Sequence, residues 1–293
     1  MQARQLIDKI VGGIFFTAAV LSVLVLIGIF GMLLVNGLRT FGEVNPAAFF
    51  FTSEWNPSAY GEPKYGILSM VASTFMVTIG AMIIAIPLGI GTAAYLAEDA
   101  PSRVRDILKP TIELLAAIPS VAVGFIGIVL VGPFIAKIFN LNNGLTALNG
   151  AFLLAIMALP TIITVAEDAI RSVPNTFKEG SYALGATKWS TLVRVILPAS
   201  FSGITAAIVL GMGRAIGETM TVLMATGNAT AMPDSFFDPV RTMTATIAIE
   251  LGEVAYGTTH YYSLFAVGAV LFIISLVVNL LAENLAAKFR YKV

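Results

Sequence analysis

Arg214 and Glu218 lie deep in the apolar run Leu192–Ala225. A charge at the centre of a membrane span costs about 2.5–3.5 kcal/mol on insertion scales, so such residues face a protein interior or a watery path. Four residues apart, they share a face of a continuous helix and can neutralise one another. Two readings are open: an intrahelical salt bridge that stabilises a bundle, or a site on a path for an anion. In the second reading the guanidinium's planar fork of donors replaces part of the anion's hydration. Glu218 then keeps the empty site near neutral, and Thr219 and Thr221 offer hydroxyls to the same path unless they bond to their own backbone. Beside them, Gly213-x-x-x-Gly217 is the spacing of close helix contact.

Other chemistries are excluded. The sequence has no Cys and one His, His260, so disulfide scaffolds and Cys- or His-rich metal centres are ruled out. No Gly-x4-Gly-Lys-Ser/Thr occurs, and Gly185-Ala-Thr-Lys188 lacks the preceding glycine, so the chain has no P-loop to cradle a nucleotide. There is no His-Glu-x-x-His, no Ser-His-Asp set and no pair of catalytic carboxylates. Energy for any pumping must come from a separate subunit.

The elements that position these residues are membrane spans. Of 293 residues 57% are hydrophobic and 12% charged, about half the charged share of a soluble domain. Mean hydropathy is +0.89. Runs near the roughly 20 residues that cross a bilayer are Ile10–Val35, Ile67–Leu96, Ile112–Ile135, Leu145–Val165, Leu192–Ala225 and Ser263–Leu285. The first is too long for a signal peptide core and reads as a retained span. The third contains Pro119 and Pro133, with Pro110 just before it, and reads as one kinked span. Pro87, Gly89 and Gly91 mark a bend or close crossing in the second. The chain is thus expected to be an all-α membrane protein of about six transmembrane helices: residues 1–65 form the first helix and an outer loop, and residues 66–293 a core of five helices with a loop at 171–190.

Charge placement orients the bundle. With the N-terminus inside, 12 Lys and Arg residues fall on the inner side (Arg4, Lys9, Arg103, Arg105, Lys109, Arg171, Lys178, Lys188, Arg194, Lys288, Arg290, Lys292) and 4 outside (Arg39, Lys64, Lys137, Arg241). That bias follows the positive-inside rule and makes both termini cytoplasmic. With 17 basic and 17 acidic residues the net charge is zero, which speaks against nucleic acid as a partner. Outside, residues 37–65 carry Trp55, Asn56, Pro57 and Tyr60, suited to the interface or to a docking partner. Residues 227–259 carry Asp234, Asp238, Glu250 and Glu253 around an apolar patch at Ile247–Ile249, which suggests a partly helical cap. Glu113 is placed at the inner end of the third span, and His260-Tyr261-Tyr262 reads as an aromatic belt.

The inner loop between the fourth and fifth spans carries the most specific pattern. Thr176 and Glu179 have capping-box spacing, Gly185 can close the helix in a left-handed turn, and Thr187 can cap a second helix. Phe177, Leu184 and Trp189 are available for packing. The order Glu179-Gly180-Ser181-x3-Gly185-x9-Val195-x-Leu197-Pro198 resembles the EAA loop of ABC importer permeases, EAA-x3-G-x9-I-x-LP, with small residues replacing both alanines and valine replacing isoleucine. Glu167-Asp168-Ala-Ile-Arg171-Ser-Val-Pro174, Leu184-Gly-Ala-Thr187 and Gly213-Arg-Ala-Ile-Gly-Glu-Thr219 resemble the phosphate-importer permeases. Asn228 after Gly227, and Trp55-Asn-Pro57 before Tyr65-Gly66, resemble the PstC-type subunit.

The resemblance implies the type I ABC importer permease fold in a bacterial inner membrane, with Glu179, Gly180, Ser181, Leu184, Gly185, Ala186 and Thr187 in a coupling helix that docks on an ATPase. It implies a second, PstA-type permease subunit, two ATPase subunits that bind ATP and Mg, and an extracytoplasmic phosphate-binding protein; this chain itself holds no cofactor. Phosphate would then pass Arg214, Glu218, Thr219 and Thr221. Rival functions are a permease for another oxyanion, such as sulfate or molybdate, and a membrane scaffold or sensor that does not transport.

Overall fold

A computed structural model describes residues 2–59 and 61–288, with side chains described for 10–59 and 61–284. Tyr60, Arg290 and Lys292 lie outside the described residues, as do the side chains of Arg4, Lys9 and Lys288. Helix α1 (Gln2–Arg39) leads through a 3₁₀ turn to α2 (Pro46–Phe51) and a short antiparallel hairpin, β1 (Trp55–Asn56) and β2 (Lys64–Tyr65). Then follow α3 (Leu68–Ala94), α4 (Ser102–Ala116), α5 (Ser120–Ile126), α6 (Gly132–Phe139) and α7 (Ala147–Arg171). The rest is α8 (Asn175–Ala183), α9 (Lys188–Thr191), α10 (Leu197–Ala199), α11 (Phe201–Gly217), α12 (Met220–Ala225), α13 (Met243–Glu250) and α14 (Thr259–Lys288).

Among the described residues five helical segments are long and apolar enough to cross a membrane, and Lys188–Ala199 with Phe201–Gly217 forms a sixth, bent by 71°. The six expected spans are present, with two changes. The third runs Ser120–Phe139, not Ile112–Ile135. Pro119 cannot donate to the preceding turn and stands extended at the start of α5. The charged stretch before it forms α4 instead, which buries no residue and leaves Glu113 exposed. The fifth is not one continuous helix. It bends at Ser200 and stops at Gly217, because Glu218 is extended (φ −68°, ψ 132°).

Three π turns widen the spans, at Tyr95–Asp99, Gly127–Val131 and Leu192–Ile196. Each is closed by a bond from the sixth residue back to the first, as from Ala100 N to Tyr95 O at 2.8 Å.

Helix α7 runs between α3 and α11, and small residues let the three close up. Ala81, Ala85, Ala151, Ala155, Ala158 and Ala215 are all buried there. A Cβ added at Gly89 or Gly211 would stand 2.7 or 2.6 Å from Ile162, so both glycines are required by that one side chain. The expected close contact at Gly213 and Gly217 is not made within the chain: nothing lies within 4 Å of a Cβ at Gly217, and the nearest atom to one at Gly213 is 3.7 Å away. Helix α1 is exposed from Ile10 to Ile29 and meets α14 only further on, where Phe30 stacks on Phe272 at 4.6 Å and Gly37 abuts the Ala266 backbone.

At one end of the bundle, Phe49, Trp55, Ile67, Met70, Met243 and Leu264 form a cluster beneath α2, the hairpin and α13. This cap end contains the expected helical cover, in α13. The opposite end carries α4, α8 and α9.

Candidate functional site

The break after Gly217 dictates the geometry around Arg214. The two charges do not share a helix face, and no ion pair joins them. Arg214 is exposed on the surface of α11, with no hydrogen-bond or ionic partner among the described residues. Glu218 is half-buried: its Oε1 accepts from Thr221 N at 3.3 Å, its carbonyl accepts from Thr244 Oγ1 at 2.9 Å, and Oε2 has no partner among the described residues. The carboxylate thus caps the first turn of α12, where unpaired N–H groups favour negative charge. Thr221 is fully buried, its hydroxyl donating to Ser120 O (3.1 Å) with Met157 Sδ also at 3.1 Å. It ties α12 to α5 and is not open to a path in this conformation. Thr219 is half-buried and its hydroxyl bonds to Gly217 O at 3.3 Å, the local alternative expected of threonine. The structure therefore places Arg214, Glu218 and Thr219 around one break, with Thr221 behind them.

Asn149 anchors the far end of α12. It is fully buried, and its Nδ2 donates to Gly127 O (3.0 Å) and Ala225 O (3.2 Å), clasping the π turn after α5 and the end of α12 from α7.

The loop at the opposite end is largely exposed. Helix α8 buries no residue. The capping box does not form: α8 starts after Pro174, without a side-chain cap. The helix end matches expectation. Gly185, at φ +79°, donates to Tyr182 O at 2.9 Å and Ala186 N to Ser181 O at 3.2 Å, the paired bonds of a Schellman motif. Thr187 Oγ1 then accepts from Ser190 N at 3.2 Å and caps α9. Two polar ties fasten the loop to the bundle, Lys178 to Glu98 at 2.6 Å and Ser181 to Thr191 at 2.8 Å. Leu184 is 91% exposed and Trp189 72%, while Glu179 and Gly180 are also at the surface.

Sequence reasoning missed an ionic anchor beside this loop. Glu167 is fully buried near the end of α7, with Lys109 of α4 at 3.2 Å and Arg171 at 3.3 Å. Its signal was Arg171 four residues after Glu167 at a helix end; Lys109 comes from a remote segment. Burial by itself would lower the Lys109 ammonium, but its hydrogen bonds to and charge attraction from Glu167 and Asp168 outweigh that and raise it above the ordinary 10.5. The raised value means the Lys109 contribution to stability is whole below 10.5 and fades only as pH climbs through the higher folded value. Lys109 and Arg171 are partly exposed and can turn to water, whereas Glu167 cannot. Lys109→Met, which strands a buried carboxylate, should therefore cost about 3 kcal/mol, and Glu167→Met about half of that. Unfolding of the purified protein in detergent checks the order; equal losses would show that Glu167 reaches water.

The second missed group is at the cap end. Glu250 accepts from Trp55 Nε1 (3.0 Å) and Arg241 Nη1 (2.9 Å) and pairs with His260 Nε2 (2.8 Å), so His260 is a polar tie and not merely part of an aromatic belt.

The family described as binding-protein-dependent transport system inner membrane component matches residues 85–291. The chain belongs to this family. It is a multi-pass inner-membrane permease subunit of an ABC importer, not an enzyme, and its EAA loop and coupling helix are typical of the family. A probable ABC transporter permease protein of Bacillus subtilis, YqgH, is 40% identical over 98% of this chain and 93% of its own length. The phosphate transport system permease protein PstC of Mesorhizobium japonicum is 36% identical, covering 91% of this chain and 86% of that protein. PstC 1 of Mycobacterium tuberculosis is 35% identical over 84% and 83%. Among solved structures, the inward facing MetNI methionine ABC transporter shares the fold at a TM-score of 0.57, with 18% identity over 76% of this chain and 94% of that one. A bacterial ABC transporter that imports alginate matches equally well, TM-score 0.57 at 17% identity over 75% and 79%.

Proposed function

We propose that this subunit forms part of the path of an ATP-driven phosphate importer, with the cap end outside and both termini in the cytoplasm. The observation that carries the reading is Arg214, a cation without a partner among the described residues at a break in a membrane span, in a chain whose relatives include phosphate permeases of the PstC type. An oxyanion leaving water needs donors in place of its hydration shell, and a guanidinium supplies them in a planar fork. Glu218 has one oxygen committed to α12 and one free. The free oxygen accepts the proton of hydrogen phosphate, which sulfate lacks at neutral pH.

The assembly pairs this chain with a second, PstA-type permease across the face that bears Arg214. Two ATPase subunits bind ATP and Mg and receive α8 and α9, and an extracytoplasmic binding protein delivers phosphate to the cap end. ATP binding draws the ATPases together. The motion enters through Leu184 and Trp189, crosses the Lys178–Glu98 and Glu167 ties, and turns the spans outward. Phosphate passes to Arg214 and moves inward after hydrolysis.

The test is uptake of labelled phosphate into proteoliposomes holding the whole assembly, with sulfate and molybdate as competitors. Phosphate uptake that requires ATP and resists both competitors is expected. Transport of sulfate or molybdate in its place would overturn the substrate, and no ATP-dependent flux of any oxyanion would leave a scaffold or sensor.

A further inference from the structure

Helix α13 is buried at one end and open at the other. Met243, Ala245 and Thr246 are fully buried and Thr244 nearly so, whereas Ala248 is exposed and Glu250 half-buried. The buried end is wired into the bundle. Met243 N donates to Thr74 Oγ1 of α3 at 3.1 Å, and Thr244 Oγ1 donates to the carbonyl of Glu218, the residue at which the fifth span breaks. The open end terminates in Glu250, on which Trp55 of β1, Arg241 and His260 of α14 converge. Arg241 also reaches back: its Nε donates to Asn228 O at 2.9 Å, and Asn228 Nδ2 donates to Leu223 O of α12 at 2.7 Å. Between the surface hub and the break in the path stands one helix of eight residues, about 12 Å long.

We propose that α13 is the rod that transmits docking at the cap end to the substrate path, and that Glu250 is the positioning residue at its outer end. Three donors from separate segments hold one carboxylate, and charge-assisted bonds are the stronger kind, so a shift of β1 or of the start of α14 moves Glu250. A helix hydrogen-bonded along its length passes the shift on as a rigid body. It arrives at Thr244, which bears on the Glu218 carbonyl, and in parallel at Arg241, which bears on α12 through Asn228. Both routes end on the α12 side of the break, one at its first residue and one within α12, and so act on the break next to Arg214. Nothing at the hub touches substrate; it sets when the break opens.

The inference rests on the importer reading, and its test separates the two. The reconstituted assembly is prepared as wild type, Glu250→Ala, Glu250→Gln and Thr244→Val, and ATP hydrolysis is measured with and without an excess of phosphate-loaded binding protein. Glu250→Ala should keep basal hydrolysis and lose about tenfold of the stimulation by the binding protein, the scale of one charge-assisted bond, and Thr244→Val, which removes a neutral bond, should lose severalfold. Glu250→Gln should recover much of it, because the amide oxygen still accepts from Trp55 and Arg241. A second readout needs no substrate: the chain has no cysteine, and a Cβ at Gly217 meets nothing within 4 Å. Gly217→Cys therefore reports outside access to the break through its thiol labelling rate in the vanadate-trapped state. Glu250→Ala on that background should change the rate severalfold. Unchanged stimulation and labelling in Glu250→Ala and Thr244→Val would overturn the proposal. So would loss of assembly in Glu250→Ala without recovery in Glu250→Gln and with Thr244→Val normal, since Glu250 would then only hold the fold. If phosphate-loaded protein fails to stimulate the wild type, the phosphate reading falls while the labelling comparison still decides on α13.

Discussion

Arg214→Gln should lower phosphate uptake by about a hundredfold, some 3 kcal/mol of lost stabilisation for a desolvated anion, while assembly and ATP hydrolysis persist. The neutral side chain keeps most of the length and two amide donors but removes the charge. Because Arg214 is exposed and bonds to none of the described residues, its replacement withdraws little internal support, so the fold should stand. The separation of flux from hydrolysis is the signature of a path residue. A structural cation would instead reduce both, through loss of assembled complex. Uptake per ATP hydrolysed, measured at matched amounts of complex, tells the two apart. Equal uptake by variant and wild type would remove Arg214 from the path and with it the basis for an anionic substrate.

Leu184→Asp should weaken ATPase docking by about thirtyfold, near 2 kcal/mol, the scale of an apolar side chain withdrawn from an interface. Leu184 is 91% exposed and stands at the end of α8 just ahead of the left-handed Gly185. An apolar side chain 91% exposed at a rigid turn packs little against its own chain and is available to a groove in a partner. The aspartate brings a charge that the groove must strip of water. Pull-down of the ATPase by the detergent-solubilised permease gives the affinity, and the unfolding temperature should not move. Trp189→Ala, at 72% exposure, should act in the same direction. Undiminished ATPase binding by both variants would place docking elsewhere on the cytoplasmic side.

Much of this was legible in the sequence because a bilayer imposes a simple pattern. Runs of about 20 apolar residues read as spans whatever they pack against, and six of them appear. The EAA spacing and the Gly185 turn depend on local backbone rules, and they too are found as expected, as is the Thr187 cap. The misreadings occurred where tertiary partners decide. Thr176 and Glu179 have the spacing of a capping box, but Pro174 already fixes the start of α8. Proline in the third run was read as a kink, yet the charges before it favour a separate helix on the surface. The i, i+4 pairing of Arg214 and Glu218 assumed a helix that stops between them. That stop is braced by remote partners: Thr244 donates to Glu218 O at the break, and Asn149 donates to Ala225 O at the far end of α12. The hub at Glu250 joins residues up to 195 positions apart in sequence, and no periodicity reports such a meeting.

The π turn at Leu192–Ile196 stands inside the first half of the fifth span, between α9 and the bend at Ser200. One residue more than an α-helix needs turns everything beyond it by roughly 100° about the axis. The compass bearing of α9 relative to α11 is therefore stored as a length of chain and not in any side chain. Removing one residue there would leave a regular helix with all its apolar character, and Trp189 would face a different quarter of the membrane surface. Leu192 and Ile196 are buried and must stay apolar, while the other three positions could drift more freely; the number of residues could not change.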